Sequence, residues 1–172
     1  MLFEKLKQVK GFVLDVDGVL TDGTVLVLEN GEQLRSFHVR DGYALQLAIK
    51  KGYPIAAITG GNSTGVKLRL TSLGISDVFL NVKEKTAVLL TWSVKYRIDP
   101  EHILYMGDDI PDLKAMRSVG IKACPADAVE EIKQLADYIS PLCGGKGAVR
   151  DVFEKVLKLQ GNWENDLPLK SI

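Results

Sequence analysis

Short apolar runs alternate along the chain with segments of helical periodicity. Five runs have the length and composition of buried strands, at 12–14, 54–58, 78–80, 102–106 and 120–123. Apolar spacing and end signals predict helices at 41–51, 62–73, 84–97, 110–118, 127–136 and 147–159. Strands that alternate with helices indicate an α/β fold, with a Rossmann-like parallel sheet covered by helices on both faces.

One stretch departs from this alternation. Residues 24–39 alternate between apolar and polar positions around an Asn30-Gly31 turn signal, which predicts a β-hairpin. We expect this hairpin to form a flap over about 20–39 within a single domain at 1–160. The chain turns polar from Gln160, and 161–172 is predicted to be a loose C-terminal tail.

Composition narrows the class of protein. The 172 residues suffice for one domain with a sizeable core, and the hydrophobic fraction of 46% is ordinary for a globular protein. Basic and acidic side chains balance at 22 each, which does not indicate a nucleic-acid partner. The two cysteines favour a reducing compartment. Neither a signal peptide nor a membrane-spanning run of roughly 20 apolar residues is recognisable, so we expect a cytoplasmic protein without a membrane partner.

Two carboxylates follow the first apolar run. Asp15 and Asp17 stand two residues apart, and Gly18 then permits a sharp turn. Carboxylates at the end of a buried strand are costly unless they are paired, and Mg²⁺ is a suitable partner. A carboxylate held in this way can also attack phosphorus. The alternative is a solvated, Asp-rich turn that simply ends the strand.

Other polar groups follow later strands. Thr59 and Gly60 end the second strand and could bind a phosphate, although a strand-to-helix turn would look the same. Lys85 stands at a helix start, where a cation opposes the helix dipole unless an anion lies nearby. The segment 107–112 reads Gly-Asp-Asp-Ile-Pro-Asp. Helix capping would account for Asp109 and Asp112 but not for Asp108.

The order of these motifs resembles the haloacid dehalogenase superfamily of phosphohydrolases, across residues 12–112. The resemblance implies that Asp15 is the phosphoryl-accepting nucleophile and Asp17 the general acid and base. It implies Mg²⁺ bound by Asp15, the Asp17 main-chain carbonyl and Asp108. The remaining implied roles are phosphate binding by Thr59, Gly60 and Lys85, and support of the metal site by Asp109 and Asp112.

Two further stretches resemble a narrower branch of that superfamily. They are 37–43, Phe-His-Val-Arg-Asp-Gly-Tyr, and 144–151, Gly-Gly-Lys-Gly-Ala-Val-Arg-Asp. Members of this branch lack a cap domain, assemble as homo-oligomers, usually tetramers, and hydrolyse the phosphate ester of an eight-carbon sugar acid in lipopolysaccharide sugar synthesis. The resemblance implies substrate contacts, partly from a neighbouring subunit, through Arg40, Arg69, Lys146 and Arg150.

This branch commonly has Arg at the positions of Gly61 and Lys146, so two expected guanidinium groups are missing here. Two alternatives stay open. One is a phosphatase for a nine-carbon, sialic-acid-type ester. The other is a non-catalytic oligomeric scaffold domain.

Overall fold

A computed structural model describes residues 2–163, in which six parallel strands form one sheet. The six strands are Gly11–Leu14 (β1), Ile55–Ile58 (β4), Asp77–Phe79 (β5), Ile103–Met106 (β6), Ile121–Cys124 (β7) and Tyr138–Ile139 (β8). Their order across the sheet is β5-β4-β1-β6-β7-β8. The predicted α/β class with a parallel sheet is therefore confirmed.

Helices cover both faces of the sheet. They are Leu2–Lys7 (α1), Val39–Lys50 (α2), Thr64–Ser72 (α3), Lys85–Tyr96 (α4), Leu113–Arg117 (α5), Glu130–Leu135 (α6) and Ala148–Leu159 (α7). In β1, Phe12 and Leu14 pack in the core with α1, α2, α3 and α7, whereas Val13 packs on the other side with α4, α5 and α6. This double coverage explains why the strands read as continuous apolar runs.

The predicted hairpin is also confirmed. Leu26–Val27 (β2) and Gln33–Leu34 (β3) pair in antiparallel fashion, with Leu26 opposite Leu34. The connection from β1 to β4 consists of this hairpin and α2. Every residue from 23 to 36 is exposed except Arg35, so the hairpin projects from the sheet as a flap.

Two elements were not predicted from the sequence. The short helix α1 packs on α7, and the two-residue strand β8 extends the sheet beside β7. Neither is long enough to show a periodic pattern. Among residues 2–163, no helix combines the length and the apolar character that crossing a membrane requires.

The predicted loose tail is wrong for its first residues. Asn162 Nδ2 donates to the Tyr53 hydroxyl at 2.8 Å. Just before the tail, Gln160 Nε2 donates to the main-chain oxygens of Leu6 and Val9, each at 3.0 Å. Trp163 packs edge-on against Tyr43. These contacts bind the end of α7 to the core, although 160–163 looked polar in sequence. Residues 164–172 of the predicted tail lie outside the described residues.

The strand register brings the predicted motifs to one edge of the sheet. Leu14 is level with Ala57 in β4 and with Met106 in β6. The main-chain N–H of Asp15 continues the ladder by donating to Met106 at 3.0 Å. The residues after β1, β4 and β6 therefore meet at the carboxyl ends of adjacent strands, where open parallel sheets form their binding sites.

Candidate active site

Asp15 lines a cavity at this edge of the sheet. The cavity has a volume of about 400 Å³, and Asp17, Thr59, Gly60 and Asp108 also line it. One oxygen of Asp15, Oδ1, accepts the main-chain N–H of Val16 at 2.7 Å and lies 2.9 Å from Lys85 Nζ. The other oxygen, Oδ2, takes part in neither of these two contacts. Asp15 is therefore held by one oxygen in a fixed orientation.

Lys85, which also lines the cavity, connects two carboxylates. Its Nζ lies 2.9 Å from Asp15 and 2.8 Å from Asp112, and its side chain is almost fully buried. Asp112 is completely buried and also accepts the Tyr105 hydroxyl at 2.7 Å and the main-chain N–H of Asp108 at 3.1 Å. The cation at the start of α4 is thus neutralised by neighbouring anions, which offsets its unfavourable position in the helix dipole.

Burial and neighbouring charges shift the pKa values of these groups. Burial, with the carboxylate of Asp112, raises the pKa of Asp15 to about 8 although Lys85 acts to lower it. Burial, with Asp112 and Asp109, raises the pKa of Asp108 to about 7. Burial acts to lower the pKa of Lys85, but Asp15 and Asp112 raise it above its ordinary value. A further cation in the cavity would favour the ionised carboxylates.

The carboxylates fit a hard divalent cation. Oxygens of Asp15, Asp108 and Asp112 lie within 4.8 Å of one another. Within the described residues, Asp108 Oδ1 is buried without a hydrogen-bond partner. Buried carboxylate oxygens that need compensation are suitable ligands for Mg²⁺. The third carboxylate of this cluster is Asp112, whereas the Asp17 side chain, whose main-chain carbonyl was the predicted ligand, pairs with another residue.

That partner is Arg35. Its Nε donates to Asp17 Oδ1 at 2.6 Å, and its Nη2 lies 3.5 Å from Oδ2. The sequence analysis did not identify Arg35, because a single arginine in an exposed hairpin shows no motif. Asp15 and Asp17 line the same cavity but have different surroundings, one in the Lys85 cluster and the other against the flap.

The remaining motifs lie around the same cavity. The Thr59 hydroxyl accepts the main-chain N–H of Gly61 at 2.9 Å, which shapes the turn after β4. Gly60 lines the cavity beside it. Asp109 also lines the cavity, but it is exposed and its carboxylate accepts the N–H of Ile110 at 2.7 Å. Asp109 thus caps the turn at 110–112, whereas Asp112 lies within the carboxylate cluster.

Glycine is required at one point of this site. Gly18 has a φ of +87°, and a Cβ there would lie 2.0 Å from Asp108 Oδ2. The loop after β1 can pass so close to Asp108 only without a side chain. The predicted turn glycine therefore also permits the approach of two carboxylate-bearing loops.

The predicted substrate-contacting cations lie elsewhere in the chain. Arg40, Lys146 and Arg150 line a separate cavity of about 450 Å³. Arg69 lies on α3, and among the described residues it lines neither of these two cavities. The segment around Gly144 packs against the back of the loop after β1, where a Cβ on Gly144 would lie 1.8 Å from the Gly18 oxygen. None of these four cations lines the Asp15 cavity of its own chain.

Arg150 in particular is held by aromatic rings. Its guanidinium lies 5.4 Å from the Tyr43 ring centre and 5.2 Å from that of Trp163, and Nε pairs with Glu154 at 3.2 Å. Its main-chain N–H donates to the buried Asp41 at 2.7 Å. These contacts give Arg150 a packing role at the start of α7.

This chain is similar to known phosphatases in sequence and in fold. The haloacid dehalogenase-like hydrolase family matches residues 71–143. The 3-deoxy-D-manno-octulosonate 8-phosphate phosphatase of Escherichia coli K12 is 38% identical over 157 residues, covering 91% of this chain and 84% of the relative.

Two solved structures have the same fold. The enzyme of that name from Moraxella catarrhalis, in complex with magnesium, phosphate and the sugar acid KDO, matches with a TM-score of 0.91 and 38% identity. That match covers 94% of this chain and 93% of the other. The cobalt-bound Haemophilus influenzae phosphatase matches with a TM-score of 0.89 and 35% identity, covering 92% and 93%.

Proposed function

The chain belongs to the 3-deoxy-D-manno-octulosonate 8-phosphate phosphatase family of haloacid dehalogenase-like hydrolases, and we propose that it hydrolyses this ester with Mg²⁺. The products are the free eight-carbon sugar acid and inorganic phosphate. The observation that carries the proposal is the cluster of Asp15, Lys85, Asp108 and Asp112 at the carboxyl ends of β1 and β6. We place the reaction in lipopolysaccharide sugar synthesis and, since both cysteines are free thiols, in the cytoplasm.

Asp15 is the proposed nucleophile. Its oxygen would attack phosphorus, the bond from phosphorus to the sugar oxygen would break, and an aspartyl phosphate would form. Lys85 and the Val16 N–H hold Oδ1, which orients the carboxylate for an in-line attack. Water would then hydrolyse the aspartyl phosphate and regenerate Asp15.

Asp17 is the proposed proton donor and acceptor. It would protonate the departing sugar oxygen and then remove a proton from the attacking water. Its carboxylate lines the same cavity as Asp15 but lies outside the Lys85 cluster. Two carboxylates in different surroundings can take different roles in one reaction.

A phosphate dianion can approach these carboxylates only if positive charge offsets the repulsion. Lys85 supplies one charge, and Thr59 with Gly60 supplies polar groups at the cavity wall. Mg²⁺, for which Asp15, Asp108 and the Asp17 main-chain carbonyl are the proposed ligands, would stabilise charge on the transferring phosphoryl group. Asp112 would support this site from its buried side, and Asp109 would support it from the exposed edge of the cavity.

A second chain is the proposed source of the remaining substrate contacts. Arg40, Lys146 and Arg150 line their own cavity, and a guanidinium binds a carboxylate by two hydrogen bonds. We propose that Arg40, with Lys146, faces the sugar-acid carboxylate in a neighbouring subunit. Arg69 and Arg150 have less support, because Arg150 is held between rings and Arg69 lies on α3.

The flap is the proposed contact between subunits, in a homotetramer of the 18.9 kDa chain. Leu26, Val27 and Leu34 are exposed on this two-stranded hairpin. Contiguous exposed apolar side chains of this kind mark interaction surfaces.

We expect Leu26→Lys to dissociate the oligomer, because it introduces a charge into an apolar contact. Light scattering after size-exclusion chromatography would measure the mass, with the exposed Leu68→Lys on α3 as the control. An unchanged mass for Leu26→Lys would contradict this contact.

The substrate is tested by phosphate release from the eight-carbon and nine-carbon sugar-acid esters in Mg²⁺. We expect kcat/KM to favour the eight-carbon ester by more than about tenfold, which corresponds to roughly 1.4 kcal/mol of transition-state discrimination. Equal or reversed preference would retain the phosphatase but refute the assignment to lipopolysaccharide sugar synthesis, and only a reversed preference would favour the nine-carbon ester. No release from any phosphate ester would favour the non-catalytic scaffold.

A further inference from the structure

Arg35 differs from the rest of the flap. Every other residue from 23 to 36 is exposed, whereas the Arg35 side chain is only 7% exposed. A long cation loses conformational freedom and hydration when it is buried, so it stays buried only with a good partner. That partner is Asp17, a residue of the cavity rather than of the flap.

The Arg35 guanidinium contacts both oxygens of the Asp17 carboxylate. Arg35 Nε donates to Asp17 Oδ1 at 2.6 Å, and Nη2 lies 3.5 Å from Oδ2. Within residues 2–163, Arg35 is the only side chain that hydrogen-bonds this carboxylate. Two contacts from one planar group fix the plane of a carboxylate as well as its position. The orientation of Asp17 therefore depends on Arg35.

Gly61 leaves room for this arrangement. A Cβ on Gly61 would lie 3.3 Å from Asp17 Oδ2 and 3.5 Å from Arg35 Nη2. A Cβ there would be tight against Asp17 Oδ2 and in ordinary van der Waals contact with the guanidinium, so glycine leaves the pair the most room. Because Gly61 lines the catalytic cavity, the more loosely held Oδ2 is the oxygen beside the cavity wall. Nε covers Oδ1.

We propose that Arg35 is a positioning residue that aims Asp17 Oδ2 at the departing sugar oxygen. The inference rests on the proposed proton-transfer role of Asp17. As the bond from phosphorus to the sugar oxygen breaks, its electron pair goes to that oxygen, which receives the proton from Asp17. In this proposal Arg35 contacts neither phosphorus nor the sugar oxygen, and it acts by holding the Asp17 carboxylate in place. The flap is thereby coupled to the chemical step.

The test uses leaving groups that need a proton to different degrees. Formation of the aspartyl phosphate is measured as kcat/KM for p-nitrophenyl, phenyl and p-methoxyphenyl phosphates, and for the sugar-acid ester. For Arg35→Met we expect a loss below about threefold with p-nitrophenyl phosphate, whose leaving group departs readily as an anion. The loss should reach at least about tenfold with p-methoxyphenyl phosphate, because poor leaving groups depend on general acid catalysis.

Two variants provide the controls. Arg35→Lys keeps the charge without the planar fork, so we expect partial recovery of the loss with the poor leaving groups. Arg117→Met removes an exposed arginine on α5 and should leave all substrates unchanged. The melting temperature of each variant shows whether the fold is retained.

Other outcomes would overturn the inference. An equal loss for all three aryl phosphates would mean that Arg35 holds the phosphoryl group or the fold. A loss confined to the sugar-acid ester would mean that Arg35 binds the sugar acid. Because aryl phosphates carry no sugar acid, a wild-type protein that hydrolyses them but not the eight-carbon ester would refute the proposed substrate while the test of Arg35 still proceeds.

Discussion

Replacement of Asp15 by Asn is expected to lower phosphate release by roughly 10⁴-fold or more, because an amide cannot accept the phosphoryl group. The substitution keeps the size of the side chain and an oxygen that can accept the Val16 N–H. It also removes a buried carboxylate whose pKa is raised to about 8, so the fold should be retained. Phosphate release in Mg²⁺ is the measurement, and thermal unfolding verifies the fold.

Asp99→Asn is the matched control for this prediction. Asp99 caps the turn at Pro100–His102 before β6, at the opposite end of that strand from the cavity. The same change of carboxylate to amide should leave phosphate release unaltered there. If Asp15→Asn kept more than about a hundredth of the wild-type rate, Asp15 would not be the nucleophile.

Replacement of Lys85 by Met should affect both activity and stability. We expect phosphate release to fall by roughly 10³-fold, as when one preorganised donor to a developing charge is removed. We also expect the metal-free protein to lose about 3 kcal/mol of unfolding free energy at pH 8, because the buried carboxylates of Asp15 and Asp112 lose the cation that pairs with them. Urea unfolding in EDTA measures the stability.

This loss of stability should depend on pH. The pKa of Asp15 is raised from 3.8 to about 8 in the fold, so the folded protein binds a proton more tightly than the unfolded chain. The corresponding stabilisation is complete below about pH 4 and disappears as the pH rises through about 8. Lys85 stabilises the ionised carboxylate, so the penalty of Lys85→Met should be smaller at pH 5 than at pH 8.

Lys114→Met provides the comparison. Lys114 pairs with Glu84 at 2.8 Å on the surface, and an exposed pair contributes at most about 1 kcal/mol. We expect this variant to retain both activity and stability at either pH. An equal effect of the two lysine substitutions would show that burial of Lys85 between carboxylates has no special energetic role.

Much of the fold could be predicted from sequence because its strands are buried on both faces. Runs such as 12–14 and 103–106 carry apolar side chains to both sides of the sheet, and their short length distinguishes them from the longer helical segments between them. The Asn30-Gly31 turn was equally informative for the hairpin. The helix α1 and the strand β8 were missed because each is stabilised by packing or pairing with distant residues rather than by a local pattern.

The motif residues around the Asp15 cavity were predictable for a topological reason. Polar residues that follow parallel strands meet at one edge of the sheet, so Asp15, Thr59 and Asp108 lie around one cavity. Sequence order could not assign the partners of each carboxylate. Asp112 looked like a helix cap, yet it is completely buried against Lys85 and Tyr105. Its role depends on the packing of α4 and α5.

By itself the sequence determined the fold class, the hairpin and the carboxylate motifs, since these follow from local apolar patterns and strand ends. Only the tertiary structure decided that Arg35 holds Asp17 and that Arg40 lies outside the cavity of its own chain. The reason is physical. Ion pairs and cavity walls depend on distances across the fold, and residues 18 positions apart on a turn and a flap share no sequence periodicity.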